Sequence, residues 1–434
     1  MSVSSSRTAF WTRIVLISFI AELLLFTLLR NAYGQLTSSL LFFASSCLMS
    51  VAAWQALRDQ PFVSSTKADA NGRSNSTQAL LYSGALLAGA WLLVKRLQTT
   101  FDTFPIAIEN SDIILTIQIH VRRLLEGEVV YRDIDASNFG YPLPAAYLPA
   151  MWLPYVPADF FNQDYRWTAA FILLLGVVTY TWRLGRLQPN LYEGVVKLLL
   201  PFIVFSSVLI LDPGIFGKTV EMTVVGYYLL LIASLFSRSI VWRGLAIVLC
   251  LLSRFSILFW VPFYLLLVWK YEGRRTTLQL VGSIALGMLV LYVLPFMSHD
   301  WLYIFKSMSV YTIAALGEWE NHHNALGQPI HLYQGLGFAA YFYEYVPGQI
   351  IDKLRFLQRT HLTASILVIC VAALICLRRQ PRLDYRYVAM IVLKVYLAVF
   401  YSFIQVPYSY LMLVPIFCSL WLVLCVRGTS TNDI

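Results

Sequence analysis

Charge is what this chain has least of. Only 13% of its 434 residues are Asp, Glu, Lys or Arg, half the ~25% of a soluble domain. That excludes a chain whose whole surface faces water. Cysteine is also sparse. Cys47, Cys250, Cys370, Cys376, Cys418 and Cys425 all sit inside apolar runs, with no C-x-x-C spacing. This excludes a zinc ribbon and a disulfide framework, so the thiols read as small buried hydrophobes. Long basic runs are missing as well. The net charge of +9 is dispersed in short clusters beside apolar stretches, which is the mark of membrane topology, and nucleic acid is not an expected partner. A cleavable signal is also unsupported. Arg7 and Arg13 flank an apolar run that continues to Leu29 without a small-residue cleavage site, so that run is expected to stay as the first helix.

What is present is apolar. Hydrophobic residues make up 59% and aromatics 15% of the chain, with a mean hydropathy of +0.66. Apolar stretches near the ~20 residues that cross a bilayer recur along the sequence. They fall at 10–29, 36–57, 79–96, 165–184, 195–211, 219–237, 240–253, 256–269, 277–297, 361–377, 387–404 and 408–426. The expected fold is an all-α membrane protein, a polytopic bundle of about 12 transmembrane helices. The seventh and eighth stretches are short and suit a hairpin that does not fully cross. The Ser/Asn-rich stretch from Arg58 to Gln78 reads as a flexible linker. It divides a two-helix N-terminal addition (1–78) from the remaining bundle (79–434).

Lysine and arginine set the orientation. Arg183/Arg186, Arg238/Arg243, Lys270/Arg274/Arg275 and Arg378/Arg379/Arg382/Arg386 share one side if both termini are cytoplasmic. All six histidines then fall on the outer side or at its edge. Two long outer segments, about 97–164 and 298–360, hold most of the polar chemistry, and loops of this length are usually functional.

The first of these carries Glu109, Asp112, Glu126, Glu128, Asp133 and Asp135. Ser111 suits an N-cap and Gly127 a C-terminal stop. Between them an amphipathic helix places Asp112, Thr116, Ile119 and Arg123 on one stripe, with His120 beside it. Such a helix lies along a membrane surface. Asp112 would sit in its first turn, where the helix dipole favours a carboxylate. Tyr141–Val156 is apolar but broken by Pro142, Pro144, Pro149 and Pro154, so it reads as a second interfacial or re-entrant piece. Arg254 interrupts an apolar run; charges at such places are costly and usually functional, the alternative being a structural ion pair. Lys218 and Glu221 open a span and either pair with each other or line a site. In the second outer segment, Glu318, Glu320, His322 and His323 offer a weak pattern for a divalent cation. Trp319, His322, His323 and Asn324 suit recognition of a saccharide. Glu22 and Lys394 are lone charges within apolar runs that pair across helices or snorkel.

An early outer-loop Asp, then Leu124-x-x-Gly127-x-x-x-Tyr131 and Phe139-Gly-Tyr-Pro-Leu-Pro144, resembles the GT-C superfamily of polytopic glycosyltransferases. The likeness is to the bacterial branch related to polyprenyl-phosphate-mannose-dependent mannosyltransferases. Leu143 stands where that branch usually has a second proline. Leu249–Arg275 is similar to its short helical hairpin, with Arg254 at the basic position, and Val406–Phe417 to its last span. The resemblance implies an inner-membrane enzyme with its site on the outer face and no cofactor. Its donor would be a polyprenyl-phosphate sugar, mannose in that branch, and its acceptor a hydroxyl on a glycan, glycolipid or protein. It implies Asp112 as general base. Arg254, Lys218 and Arg123 would bind the donor phosphate. Tyr131, Tyr141, His120 and Glu221 would contact substrate, with Trp319, His322, His323 and Asn324. A lipid-sugar flippase or transporter, or a polysaccharide polymerase or ligase, is the alternative. A transporter would place charges near the bilayer midplane, often within inverted repeats, and no repeat is found.

Overall fold

A computed structural model describes residues 3–28, 34–58, 76–135, 143, 145–187, 189–297, 300, 302–321, 323–378 and 383–426. The linker 59–75 lies outside them. Among the described residues the fold is all-helical, and its only β pairing is two isolated bridges. The main helices are α1 (Val3–Thr27), α2 (Gln35–Arg58), α3 (Ser76–Thr103), α4 (Asp112–Leu125), α5 (Tyr165–Leu187), α6 (Leu191–Leu211) and α7 (Glu221–Leu235). They continue with α8 (Ile240–Leu251), α9 (Trp260–Glu272), α10 (Arg274–Met288), α11 (Tyr303–Glu320), α12 (Ile350–Arg378), α13 (Tyr385–Ser402) and α14 (Leu413–Cys425). α10 runs on through a π-turn at Leu289–Val293 to Phe296.

Eight of these are long and apolar enough to cross a membrane: α1, α2, α3, α5, α6, α10 with its extension, α12 and α13. That is the architecture of a multi-pass membrane protein. The remaining expected spans correspond to the shorter helices α7, α8, α9 and α14.

Burial separates the centre from the rim. α14 is buried along its whole length, and α7 at every residue but Ala233. Helices apolar all round belong in a core. By contrast α3, α10 and α12 turn Leu87, Trp91, Leu286, Val290, Leu367 and Leu374 outward, the surface a hydrocarbon solvent satisfies. Small residues let α5 and α7 meet closely. A Cβ on Gly226 would lie 2.7 Å from the Ile172 carbonyl oxygen, and one on Gly176 2.8 Å from Leu229 Cβ.

Polar keys lock the bundle. The Glu22 and Lys394 side chains are fully buried and 2.8 Å apart. Ser46 and Ser419 donate to the two Glu22 oxygens at 2.5 and 2.6 Å. Lys394 also donates to the Pro415 carbonyl at 3.1 Å. Helices α1, α2, α13 and α14 are joined by this one cluster, so the first two helices are keyed into the bundle. At one end of the bundle Arg243 grips Glu272 through two bonds of 2.8 and 2.9 Å, and the Tyr385 hydroxyl donates to the same carboxylate. α8 and α9 run from there to the opposite end, where the turn between them carries Arg254.

Candidate functional site

The site assembles at the Arg254 end from three stretches far apart in sequence. The first is α4. Ser111 caps it, its hydroxyl accepting from Ile113 N at 3.2 Å, which puts Asp112 at the first helical position. The far end of α4 is scaffold. Arg123 donates to the carbonyls of Val130, Arg132 and Asp133 at 3.1, 2.7 and 3.1 Å. Its guanidinium thus ties the loop back to the helix rather than facing a phosphate. His120 is buried, with Nδ1 2.7 Å from the Thr116 carbonyl. Its ring packs against Tyr131, Tyr147 and Trp152. Burial pushes its pKa down to about 4, so it is a neutral core group. Tyr131 lies in the same cage, accepting from Trp152 Nε1 at 3.2 Å and donating to the Tyr147 carbonyl at 3.1 Å.

The second stretch is the turn between α8 and α9. Arg254 has extended backbone there, and its two terminal nitrogens donate to the two oxygens of Glu221 at 2.8 and 2.5 Å. Glu221 is 1% exposed and Arg254 22%. The carboxylate thus sits behind the arginine and fixes it, rather than contacting substrate itself. Glu221 does not pair with Lys218, whose ammonium lies over the Phe104 ring at 5.4 Å. Two donors of five serve Glu221, and a guanidinium held this way is aimed rather than consumed.

The third stretch is the turn between α13 and α14. α13 ends at Ser402, and Tyr408 and Tyr410 stand at the mouth of α14 with rings stacked at 5.4 Å. Arg254 lies 5.7 Å over the Tyr410 ring. The Tyr408 hydroxyl donates to Glu318 at 3.1 Å, and the other Glu318 oxygen bonds His331 Nδ1.

These stretches converge on three phenols. Tyr147, Tyr311 and Tyr410 each lie within the electrostatic reach of both Asp112 and Arg254. Tyr311, on α11, keeps 52% of its surface exposed. A carboxylate and a cation thus act on the same three phenols, which suits a reaction that moves a proton one way and builds anionic charge the other.

Of the residues expected from sequence, Asp112 and Arg254 act on these same three phenols. Tyr141 and His322 lie outside the described residues. Trp319 is fully buried and donates Nε1 to the Gln405 carbonyl at 2.9 Å, so its indole holds the loop rather than offering a face to a sugar. Asn324 closes a turn, its Oδ1 accepting from Leu326 N and Gln328 N at 2.9 and 3.0 Å. His323 forms a backbone bridge with Pro329. Among the described residues no three His, Cys, Asp or Glu side chains gather as a metal-binding group. Sequence reasoning missed Tyr147, Tyr311, His331, Tyr408 and Tyr410; the only signal was Tyr408 and Tyr410 bracketing Ser409 after a proline. No family model, curated protein or solved structure matches the chain.

Proposed function

We propose that this chain is an integral membrane glycosyltransferase of GT-C type. It moves a sugar, mannose in the branch it resembles, from a polyprenyl-phosphate donor to an acceptor hydroxyl with inversion. In this reading the chain is a bundle of about 12 helices in the inner membrane, with both termini cytoplasmic and α4 lying along the outer surface. The observation that carries it is Arg254, held by two bonds to the buried Glu221 and lying over the Tyr410 ring, with Asp112 at the capped start of α4 acting on the same phenol.

The chemistry needs two groups at such a place. The acceptor oxygen forms its bond to the anomeric carbon as the bond from that carbon to the donor phosphate oxygen breaks. The acceptor proton passes to Asp112 as general base. The lipid phosphate leaves with the electron pair and gains a negative charge, which the Glu221-anchored Arg254 stabilises. A good anionic leaving group needs no general acid, so the carboxylate pair of hydrolases is not required. The fully hydrogen-bonded Glu22–Lys394 cluster favours a structural role for the buried charges over the transporter alternative.

The test is transfer from a radiolabelled panel of polyprenyl-phosphate sugars by membranes carrying wild type or Asp112→Asn. Loss of roughly 10²–10⁴-fold in rate with protein level unchanged is expected for a lost general base. Undiminished transfer by the variant removes Asp112 from the mechanism. No transfer from any donor by the wild type overturns the reading.

A further inference from the structure

Buried donors without acceptors gather at the end of the bundle opposite Arg254. Arg183, near the end of α5, is 5% exposed. Its guanidinium lies 4.4 Å over the Phe236 ring, and the Tyr387 phenol meets it from α13. Its Nε and Nη2 atoms are buried and bond no acceptor. Trp421 of α14 is fully buried, and its Nε1 is likewise without an acceptor. The Trp421 indole stacks on the same Phe236 ring at 6.1 Å. Tyr180, one turn before Arg183 on the same face of α5, meets Trp421 edge-on at 5.7 Å. Two side chains that can only donate thus flank one phenyl ring, at the seam of α5, α7, α13 and α14.

The carboxylates at this end are committed elsewhere. Glu272 holds Arg243, and Glu193 holds Lys197 at 2.7 Å. Asp384 is within electrostatic reach of Arg183, Arg386 and Glu272, but it caps α13, accepting from Arg386 N at 2.9 Å. A buried charge without a bonded counter-charge is costly. Buried donors left unsatisfied in a native protein call for an explanation, a bound ion among them.

The geometry of the free edge selects the ligand. Nε–H and Nη2–H run parallel along one side of the guanidinium plane, spaced to meet two oxygens of one phosphate or carboxylate. In the proposed orientation this end faces the cytoplasmic leaflet, where phosphate headgroups abound and basic pockets between helices hold them. Phe236 opens the turn to α8, in which Arg238 and Ser239 are exposed, so the donors lie one ring beneath that surface.

We infer that Arg183 and Trp421 form a phosphate-binding site between α5, α7, α13 and α14. Its occupant is the headgroup of an anionic phospholipid or a soluble phosphate, which present the same oxygens. The site is remote from Asp112 and Arg254 and does not depend on the transfer chemistry.

The experiment places the full chain in nanodiscs of phosphatidylcholine, with phosphatidylglycerol added in one arm. In the other arm inorganic phosphate is titrated against chloride at equal ionic strength. Thermal unfolding reads the stabilisation that binding confers, and native mass spectrometry counts retained phosphatidylglycerol. Wild type is expected to be stabilised by phosphatidylglycerol if the site takes a lipid and by inorganic phosphate if it takes a soluble anion. Arg183→Gln is expected to weaken that binding roughly ten- to hundredfold, as for lost hydrogen bonds between charged groups. Trp421→Phe keeps an aromatic ring in the core and should weaken it roughly three- to tenfold; it decides the matter if Arg183→Gln does not fold. Arg238→Gln removes an exposed charge from the neighbouring turn and should change binding by no more than about twofold. Stabilisation by neither source overturns the site, as does binding equal in wild type, Arg183→Gln and Trp421→Phe. A loss in Arg238→Gln as large as that in Arg183→Gln overturns it too, because diffuse attraction would then account for the binding.

Discussion

Lys394 Nζ lies 2.8 Å from Glu22 Oε1, with neither side chain exposed. Breaking one partner of such a pair leaves an uncompensated charge and typically costs ~3–5 kcal/mol, whereas replacing both by apolar groups is often neutral. Glu22→Leu and Lys394→Met are each expected to unfold the purified protein well below the wild-type temperature. The double variant is expected to recover most of that loss. Thermal unfolding of the three variants in nanodiscs decides it; a double variant as weak as the singles would show that the pair is worth more than its hydrophobic substitute.

Arg254 should separate charge from geometry. Its two-point bond to Glu221 matches a planar guanidinium and not an ammonium. Arg254→Lys is expected to keep a partial rate, and Arg254→Ala to lose about 10²–10³-fold in kcat, the scale of removing one donor to a developing anion. Glu221→Ala should destabilise by ~3 kcal/mol, because it leaves a guanidinium in a mostly buried place without its counter-charge. Donor turnover read beside unfolding temperature distinguishes the effects; equal kcat for Arg254→Ala and wild type would remove the arginine from the chemistry.

His120 sets an acid limit. Its folded pKa is about 4, against ~6.5 for an unfolded chain. Between these values the unfolded chain binds a proton that the folded one refuses. Its full contribution to stability is therefore present above pH ~6.5 and is lost as pH falls toward 4, by up to ~3 kcal/mol. His120→Phe, which keeps a ring in the cage of Tyr131, Tyr147 and Trp152, should flatten this part of the pH–stability curve. Parallel slopes for wild type and variant between pH 6.5 and 4 would contradict the assignment.

Gln35 stitches the start of α2 to the second long loop. Its amide donates to the carbonyls of Gly335 and Gly337 at 3.1 and 2.8 Å. Those glycines lie so tightly on Pro407 that a Cβ on Gly335 would fall 1.3 Å from the Pro407 oxygen. Gln35→Leu leaves two buried carbonyls short of a donor, at about 1–3 kcal/mol. Faster amide hydrogen exchange at 330–345 is the expected signature, with the exchange of α7 unchanged. Protection at 330–345 identical to wild type would show that the contact does not hold the loop.

The helices were legible because a bilayer accepts long apolar helices and writes them as long apolar runs. Their ends were less so. The stretch 361–377 is only the apolar part of α12, whose first turns carry Asp352, Lys353 and Arg355 and escape a hydropathy reading. Asp112 was legible because Ser111 and an amphipathic run follow a local grammar of caps. Arg254 was legible because charge is so rare around it. The three phenols were not, since Tyr147, Tyr311 and Tyr410 come from segments about a hundred or more residues apart. Trp319 shows the converse. Its sequence neighbourhood suggests an exposed sugar contact, but an indole facing Gln405 looks the same in one dimension as one facing a ligand. Glu22 and Lys394 stood out as isolated charges, and only the fold reveals that they belong to each other.

The packing of the first two helices against the last two also sets a schedule for biosynthesis. Glu22 enters the membrane early in translation, whereas Lys394 and Ser419, its partners from α13 and α14, are made almost at the end. For most of the time the ribosome is at work, the nascent chain holds a carboxylate in lipid with Ser46 as its only bonded companion from the finished cluster. Chains terminated before residue 394 should therefore be targets for membrane quality control even though most of their helices are complete, and the finished fold becomes durable in a single late step.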